Sequence, residues 1–162
     1  MPATYEPIST QTLGSNQTTV TLSSIPATYT DLILIFDGTS SSAGQNFNVR
    51  YNSDTATNYS ERSMIGNGST AASYESSSQT LMVMGGVYAS QGTISLHIFN
   101  YANTTTFKTT LGRTSFATGF TSENIGLWRK TPEAINTITL TQSGGANFLT
   151  GSTFTLYGIK AA

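Results

Sequence analysis

Few residues in this chain could do chemistry, and they are scattered. The one histidine, His97, stands in "TISLHIF" between apolar neighbours. A Ser-His-Asp arrangement needs a base, a nucleophile and an orienting acid within hydrogen-bond reach, a relation that one strand histidine does not establish. The eight acids are Glu6, Asp31, Asp37, Asp54, Glu61, Glu75, Glu123 and Glu133, with no paired motif among them. Glycoside hydrolysis needs two carboxylates facing each other across a bond, and a calcium loop needs several oxygen ligands in one turn. "DGTSSS" offers a single acid and reads as an ordinary turn. One histidine and no cysteine leave nothing for a zinc or iron centre, and no dinucleotide or phosphate loop is present. The expectation is a protein with no cofactor and no enzymatic activity.

Binding residues are better represented. Trp128 is followed by Arg129 and Lys130, and Tyr51, Tyr59 and Arg62 flank a long stretch rich in Ser and Asn. Aromatic residues beside arginine anchor interfaces, and aromatic faces also stack on sugars. These five residues (Tyr51, Tyr59, Arg62, Trp128 and Arg129) are therefore candidates for a subunit contact or a carbohydrate contact. The plainer alternative has Trp128 capping the core, with its basic neighbours at a solvated strand end.

The elements that would position them are strands. Only 9% of the residues are charged, and Thr (29) and Ser (21) take their place. Threonine fits a pleated, half-exposed surface, whereas lysine and glutamate favour helices. Apolar residues recur with period two in "TTVTLS", "TISLHIF", "NTITLTQ" and "STFTLYGI". "LILIF" (32–36) and "LMVM" (81–84) break the alternation and read as strands buried on both faces, covered by a loop or a neighbouring subunit. The region 52–78 shows no pattern and reads as a folded excursion over the sheet, with Asn67-Gly68 as a type I′ turn. "TPEAIN" (131–136) has the composition of a helix start. Four Asn-x-Ser/Thr triplets follow from composition. About ten short strands in one domain predict an all-β antiparallel sandwich of the jelly-roll type over residues 1–162. Residues 1–15 form a partly extended arm in this reading, and the C-terminal strand completes the sheet.

A net charge of −1 and seven dispersed cations argue against nucleic acid as a partner. No apolar run approaches the length of a membrane span. Sheets with so few charges leave edges that lysine would otherwise protect, which suits a built-in oligomer.

Two stretches add a resemblance. Ser23-Ser24-Ile25-Pro26 with Thr28-Tyr29-Thr30-Asp31-Leu32, and Phe148, Thr150-Gly151-Ser152, Phe154 and Leu156-Tyr157-Gly158-Ile159, resemble the two ends of small β-sandwich virion structural proteins of tailed phages. The phages in question include those of marine bacteria and cyanobacteria. The resemblance implies a non-enzymatic component of the virion surface and leaves its position on the particle open. Since the chain shows no extended, repetitive shaft, the expectation is first of all a capsid decoration or cement protein. It would form a closed homo-oligomer, with a trimer favoured, and would contact other virion proteins such as the major capsid protein. A tail, fibre or appendage subunit with a receptor- or carbohydrate-binding role is the alternative. The resemblance carries no catalytic residues.

Overall fold

The computed structural model describes residues 4–160. Alternating Thr/apolar segments become strands because each buries one face and leaves hydroxyls on the other. In chain order these are β1 (Tyr5–Thr12), β2 (Thr19–Leu22), β3 (Asp31–Gly38), β4 (Gln45–Tyr51), β5 (Tyr59–Gly66), β6 (Ala71–Gln79), β7 (Met82–Val87), β8 (Gly92–Ile98), β9 (Lys108–Phe116), β10 (Thr121–Trp128), β11 (Ile138–Gln142) and β12 (Thr153–Ile159). They form an eight-stranded sheet, β1-β12-β3-β8-β9-β10-β5-β6, and a four-stranded sheet, β2-β11-β4-β7. Every pairing is antiparallel. β11 fills the slot between β2 and β4, and β12 the slot between β1 and β3. This interleaving of the last strands with the first is the jelly-roll wrap, so the fold is the antiparallel β-sandwich that the sequence predicts.

The two sheets close on one apolar core. Phe36 packs on Phe47, Phe148 and Phe154 with ring centroids 5.0–5.5 Å apart. In "LILIF", Leu32, Leu34 and Phe36 are buried, while Ile33 and Ile35 are half-buried on the outer face. "LMVM" behaves likewise, with Met82 and Met84 inside and Leu81 and Val83 half-buried. The double-faced burial expected for these runs is thus only partial. Period two is kept, and the extra apolar residues go to the outer surface.

Other expectations change more. The excursion at 52–78 contains the β5–β6 hairpin, which extends the large sheet. Its Ser-rich strand hides a period-two pattern because neither face of β6 is buried. The loop at Asn67 has four residues and is not a two-residue type I′ turn. The Asn67 side-chain oxygen accepts from the backbone N–H groups of Ser69 and Thr70, a side-chain substitute for the turn's own bonds. Asn103 makes the same loop with Thr105 and Thr106, so two of the Asn-x-Ser/Thr triplets are turn formers. "TPEAIN" forms no helix, because the backbone there is claimed by Tyr101 and by Asn52. The expected N-terminal arm is extended, but it lies in the sheet, with Tyr5–Thr12 paired along β12. Residues 1–3 fall outside the described residues.

Candidate functional site

The structure brings three of the five candidate residues together and buries them. Tyr51 and Tyr59 are 0% exposed and Trp128 is 2% exposed. Trp128 stacks on Tyr59 (6.3 Å, 15°) and meets Tyr51 edge-on (5.7 Å). No face of these rings is free for a sugar or a subunit. The expectation of a contact role for Tyr51, Tyr59 and Trp128 is therefore corrected, and the plainer core-capping role holds for Trp128. The physical reason is position: all three point inward at the ends of β4, β5 and β10, where the sandwich needs bulk.

Burial obliges their polar atoms to find partners. Trp128 Nε1 donates to Asp54 Oδ2 at 2.7 Å, and Asn58 Nδ2 donates to the same oxygen at 2.9 Å. Burial pushes the Asp54 carboxyl up, but the bonds from Asn58, Trp128 and the Ala56 backbone outweigh it and leave it below the ordinary value. Tyr59 donates its hydroxyl to backbone oxygens of Tyr51 and Asp54, and the Tyr51 hydroxyl pairs with Thr110 at 2.6 Å. Burial raises both phenols far above their usual range. Asn52 clasps the connection after β10, donating to Glu133 and Ala134 and accepting from Asn136 and Thr137. Lys130 pairs with Glu133 at 3.0 Å, and the Arg129 backbone N–H donates to Asn58. The assembly bolts two loops to the sandwich. Sequence reasoning had no motif for Asp54 or Asn52; the only signal was that a buried indole N–H needs an acceptor.

Arg62 lies elsewhere, on the outer face of the large sheet. Its Nε pairs with Glu75 Oε2 at 3.0 Å, and Arg113 pairs with Glu123 at 3.3 Å on the same face. Between these ion pairs stand Met64 and Ile125, 61% and 52% exposed. Register places Ile125 between Leu111 and Arg62, and Met64 between Glu123 and Ser73. Two adjoining open depressions of about 810 and 390 Å³ run over this β10–β5–β6 end. This face is an exposed apolar surface framed by charge.

His97 pairs through Nε2 with Asp31 Oδ2 at 2.9 Å and stacks on Phe99 at 3.9 Å. Asp31 also accepts from the Asn100 backbone N–H at 2.6 Å. Asp31 thus ties the start of β3 to β8 through His97 and to the loop after β8 through Asn100. Among the described residues, no group of three or more His, Cys, Asp or Glu side chains is placed to hold a metal.

The two stretches that carry the virion resemblance are neighbours in space. β12 pairs with β3, and Thr30 N–H donates to Ile159. The Tyr29 ring lies over Gly158, where a Cβ would sit 2.2 Å from its Cγ. Tyr29 donates to Glu6, and Glu6 pairs with Lys160 at 2.8 Å. The Tyr29–Leu32 part of the first stretch and the Phe154–Ile159 part of the second therefore pack against each other.

No family model matches the chain, and no curated protein matches it. The PL-14 alginate lyase of Aplysia kurodai is similar over 83% of this chain and 70% of its own, at 9% identity and a TM-score of 0.35. Scytalido-glutamic peptidase with a transition-state analogue inhibitor is similar over 91% of this chain and 66% of its own, at 12% identity and a TM-score of 0.31. The CBM2 module of the evolved Dit of Lactobacillus casei BL23 phage J-1 covers 89% of this chain and 70% of its own, at 6% identity and a TM-score of 0.18. At these scores none of them carries its activity or binding over to this chain.

Proposed function

We propose that this protein is a non-enzymatic structural component of a tailed-phage virion, first of all a decoration or cement protein on the capsid surface. The observation that carries the reading is the outer face of the large sheet at β10–β5–β6. Met64 and Ile125 are open to solvent there between two ion pairs, beside a strand exposed on both sides. Such a surface suits contact with another protein, because contiguous exposed apolar area framed by charge marks interaction sites. The terminal resemblance supports the virion setting, and parts of its two stretches, Tyr29–Leu32 and Phe154–Ile159, pack against each other. The partners are further copies of this chain in a closed homo-oligomer, and shell proteins such as the major capsid protein. A tail or appendage position is the second form of the same reading.

Immunogold electron microscopy on gradient-purified particles is the test. Labelling over heads is the expected result, and labelling confined to tails moves the protein to the appendage form. Absence of the protein from purified particles overturns the proposal.

A further inference from the structure

The four edges of the two sheets are treated differently. β1 carries Pro7, which has no N–H, and its ladder is broken by a bulge between Pro7 and Ser9. β2 has only four residues. On β7, the Val83 N–H is taken by the inward-pointing Glu61 carboxylate, and the β4–β7 ladder is bulged between Asn46 and Asn48. Each of these is a known device against edge-to-edge pairing. β6 is nine residues long, is exposed on both faces and carries a single charge, Glu75. Its bulge lies at the Tyr59/Glu61 end, so Ala71–Ser76 runs regularly.

The phase of that edge follows from two backbone bonds. Asn67 N–H donates to Thr70, and Arg129 N–H donates to Asn58. Counted in alternate residues from either bond, Ala72, Tyr74 and Ser76 turn their backbone groups to β5. Ala71, Ser73 and Glu75 turn theirs to solvent.

We infer that β6 is the self-association edge of this protein, pairing antiparallel with β6 of a second copy about a two-fold axis at Ser73. This register sets Ser73 opposite Ser73, Ala71 opposite Glu75, and Ala72 opposite Tyr74. The large ring of Tyr74, 60% exposed in the single chain, then meets the smallest side chain available. The two Glu75 carboxylates stand four residues apart along the ladder, about 13 Å, and are largely screened from each other. A register centred on Glu75 would oppose like charges directly, which is destabilising. Because the other three edges are blunted, β6 finds its complement only in another β6. The contact is isologous and closes at two chains, where the sequence reading favours three. The pairing joins two eight-stranded sheets into one surface and sets the Met64–Ile125 faces of both copies side by side. It stands on the edge geometry and does not depend on the virion reading.

Light scattering or sedimentation of the purified chain across a concentration series tests it, with a mass twice 17.2 kDa expected. Ser73→Pro removes an outward N–H and no bond to β5, so it is expected to give a monomer with an unaltered circular dichroism spectrum. The chain has no cysteine, so Ser73→Cys reports alone. Its Cα atoms would lie about 5.5 Å apart across the axis, within disulfide range, and oxidation is expected to yield a covalent dimer. Ser9→Cys on β1 should yield none. A monomer at every concentration, a trimer, or a dimer indifferent to Ser73→Pro overturns the inference. If Ser73→Pro fails to fold, the absence of a Ser73→Cys cross-link overturns it alone. A confirmed dimer in a protein absent from virions would leave this pairing standing and remove only the virion reading.

Discussion

The two halves of the sandwich are held together by different means. Beneath β3, β8 and β12 the interior is Leu32, Leu34, Phe36, Ile94, Leu96, Ile98, Phe154 and Leu156, all fully buried and all apolar. Beneath β9, β10 and β5 the inward positions include Thr110, Thr114, Ser122 and Asn124, together with Gly112 and Gly126. Even Lys108 is buried there, its Nζ donating to the backbone oxygens of Asn103 and Thr106 at 2.6 and 2.7 Å. In the first half, removal of apolar area from water holds the sheets together, a term that tolerates small shifts. In the second, Thr110 pairs with Tyr51 and Asn124 donates to Ser122, bonds whose loss would orphan buried groups at their full desolvation cost, while the Thr114 hydroxyl has no partner. The first half supplies stability, and the second fixes the geometry of the end that carries the free edge.

The largest effect belongs to the apolar half. Phe36→Ala should cost about 3–5 kcal/mol in denaturant unfolding, through lost burial and the cavity left among Phe47, Phe148 and Phe154. A loss of less than about 1 kcal/mol would erase the contrast.

Asp54→Ala should follow at about 2 kcal/mol, since it orphans the Trp128 indole and the Asn58 amide. Its pH signature is more telling. The folded-state pKa of Asp54 is lowered, so its stabilisation is fully present above the unfolded value near 4 and is lost as pH falls through the folded value. Glu133, lowered mainly by its bond from Asn52, acts in the same direction. Unfolding midpoints measured from about pH 6 down to about pH 3 should therefore fall less steeply in Asp54→Asn than in the native chain. Equal slopes would show that the network contributes no charge-dependent stability.

Gly126→Ala should cost about 1 kcal/mol. The added Cβ would lie 2.5 Å from Met82 Sδ and 2.8 Å from Met84 Sδ, and thioethers can swing aside. A thermal scan showing a loss as large as that of Phe36→Ala would mean that the polar half is packed as rigidly as the apolar one.

Smallest is Glu61→Gln, within about 0.5 kcal/mol near pH 4. Burial raises the Glu61 carboxyl despite its bond from Val83. A raised carboxyl favours folding below its unfolded pKa, and that benefit is lost as pH rises through the folded value. The amide still accepts from Val83 and carries no charge, so the variant should gain relative to the native chain between pH 4 and 7. A relative loss on that rise would contradict the burial of this group.

The apolar half was legible from sequence because alternation writes it directly: "TISLHIF" and "STFTLYGI" place their inward residues without reference to anything distant. The polar half was not. Its inward positions are Thr, Asn and Gly, which on composition alone look like solvent-facing residues, and only packing against β7 reveals their side. The β5–β6 hairpin was hidden for a related reason, since a strand exposed on both faces has no period to show. Among the candidate site residues, the plainer reading of Trp128 as a core cap holds, whereas the exposure that a contact role asks of Tyr51 and Tyr59 is absent. Tyr51, Tyr59 and Trp128 went to the core, and of the five only Arg62 lies with the surface that the structure offers.

The interleaving of β11 and β12 with the first four strands has a kinetic side. Until those two strands arrive, β1 and β3 have no partner between them, nor do β2 and β4, so neither sheet can close from its N-terminal strands alone. Contacts that span most of the chain must form late, and chains dominated by such pairings fold on the order of milliseconds to seconds. During synthesis on the ribosome, β1 and β2 would wait unpaired, and β3 and β4 would be paired on one side only, until β11 and β12 had been added. Stopped-flow refolding slower than about a millisecond is the expected behaviour, together with a burden on chaperones that a hairpin-by-hairpin sandwich of this size would not impose.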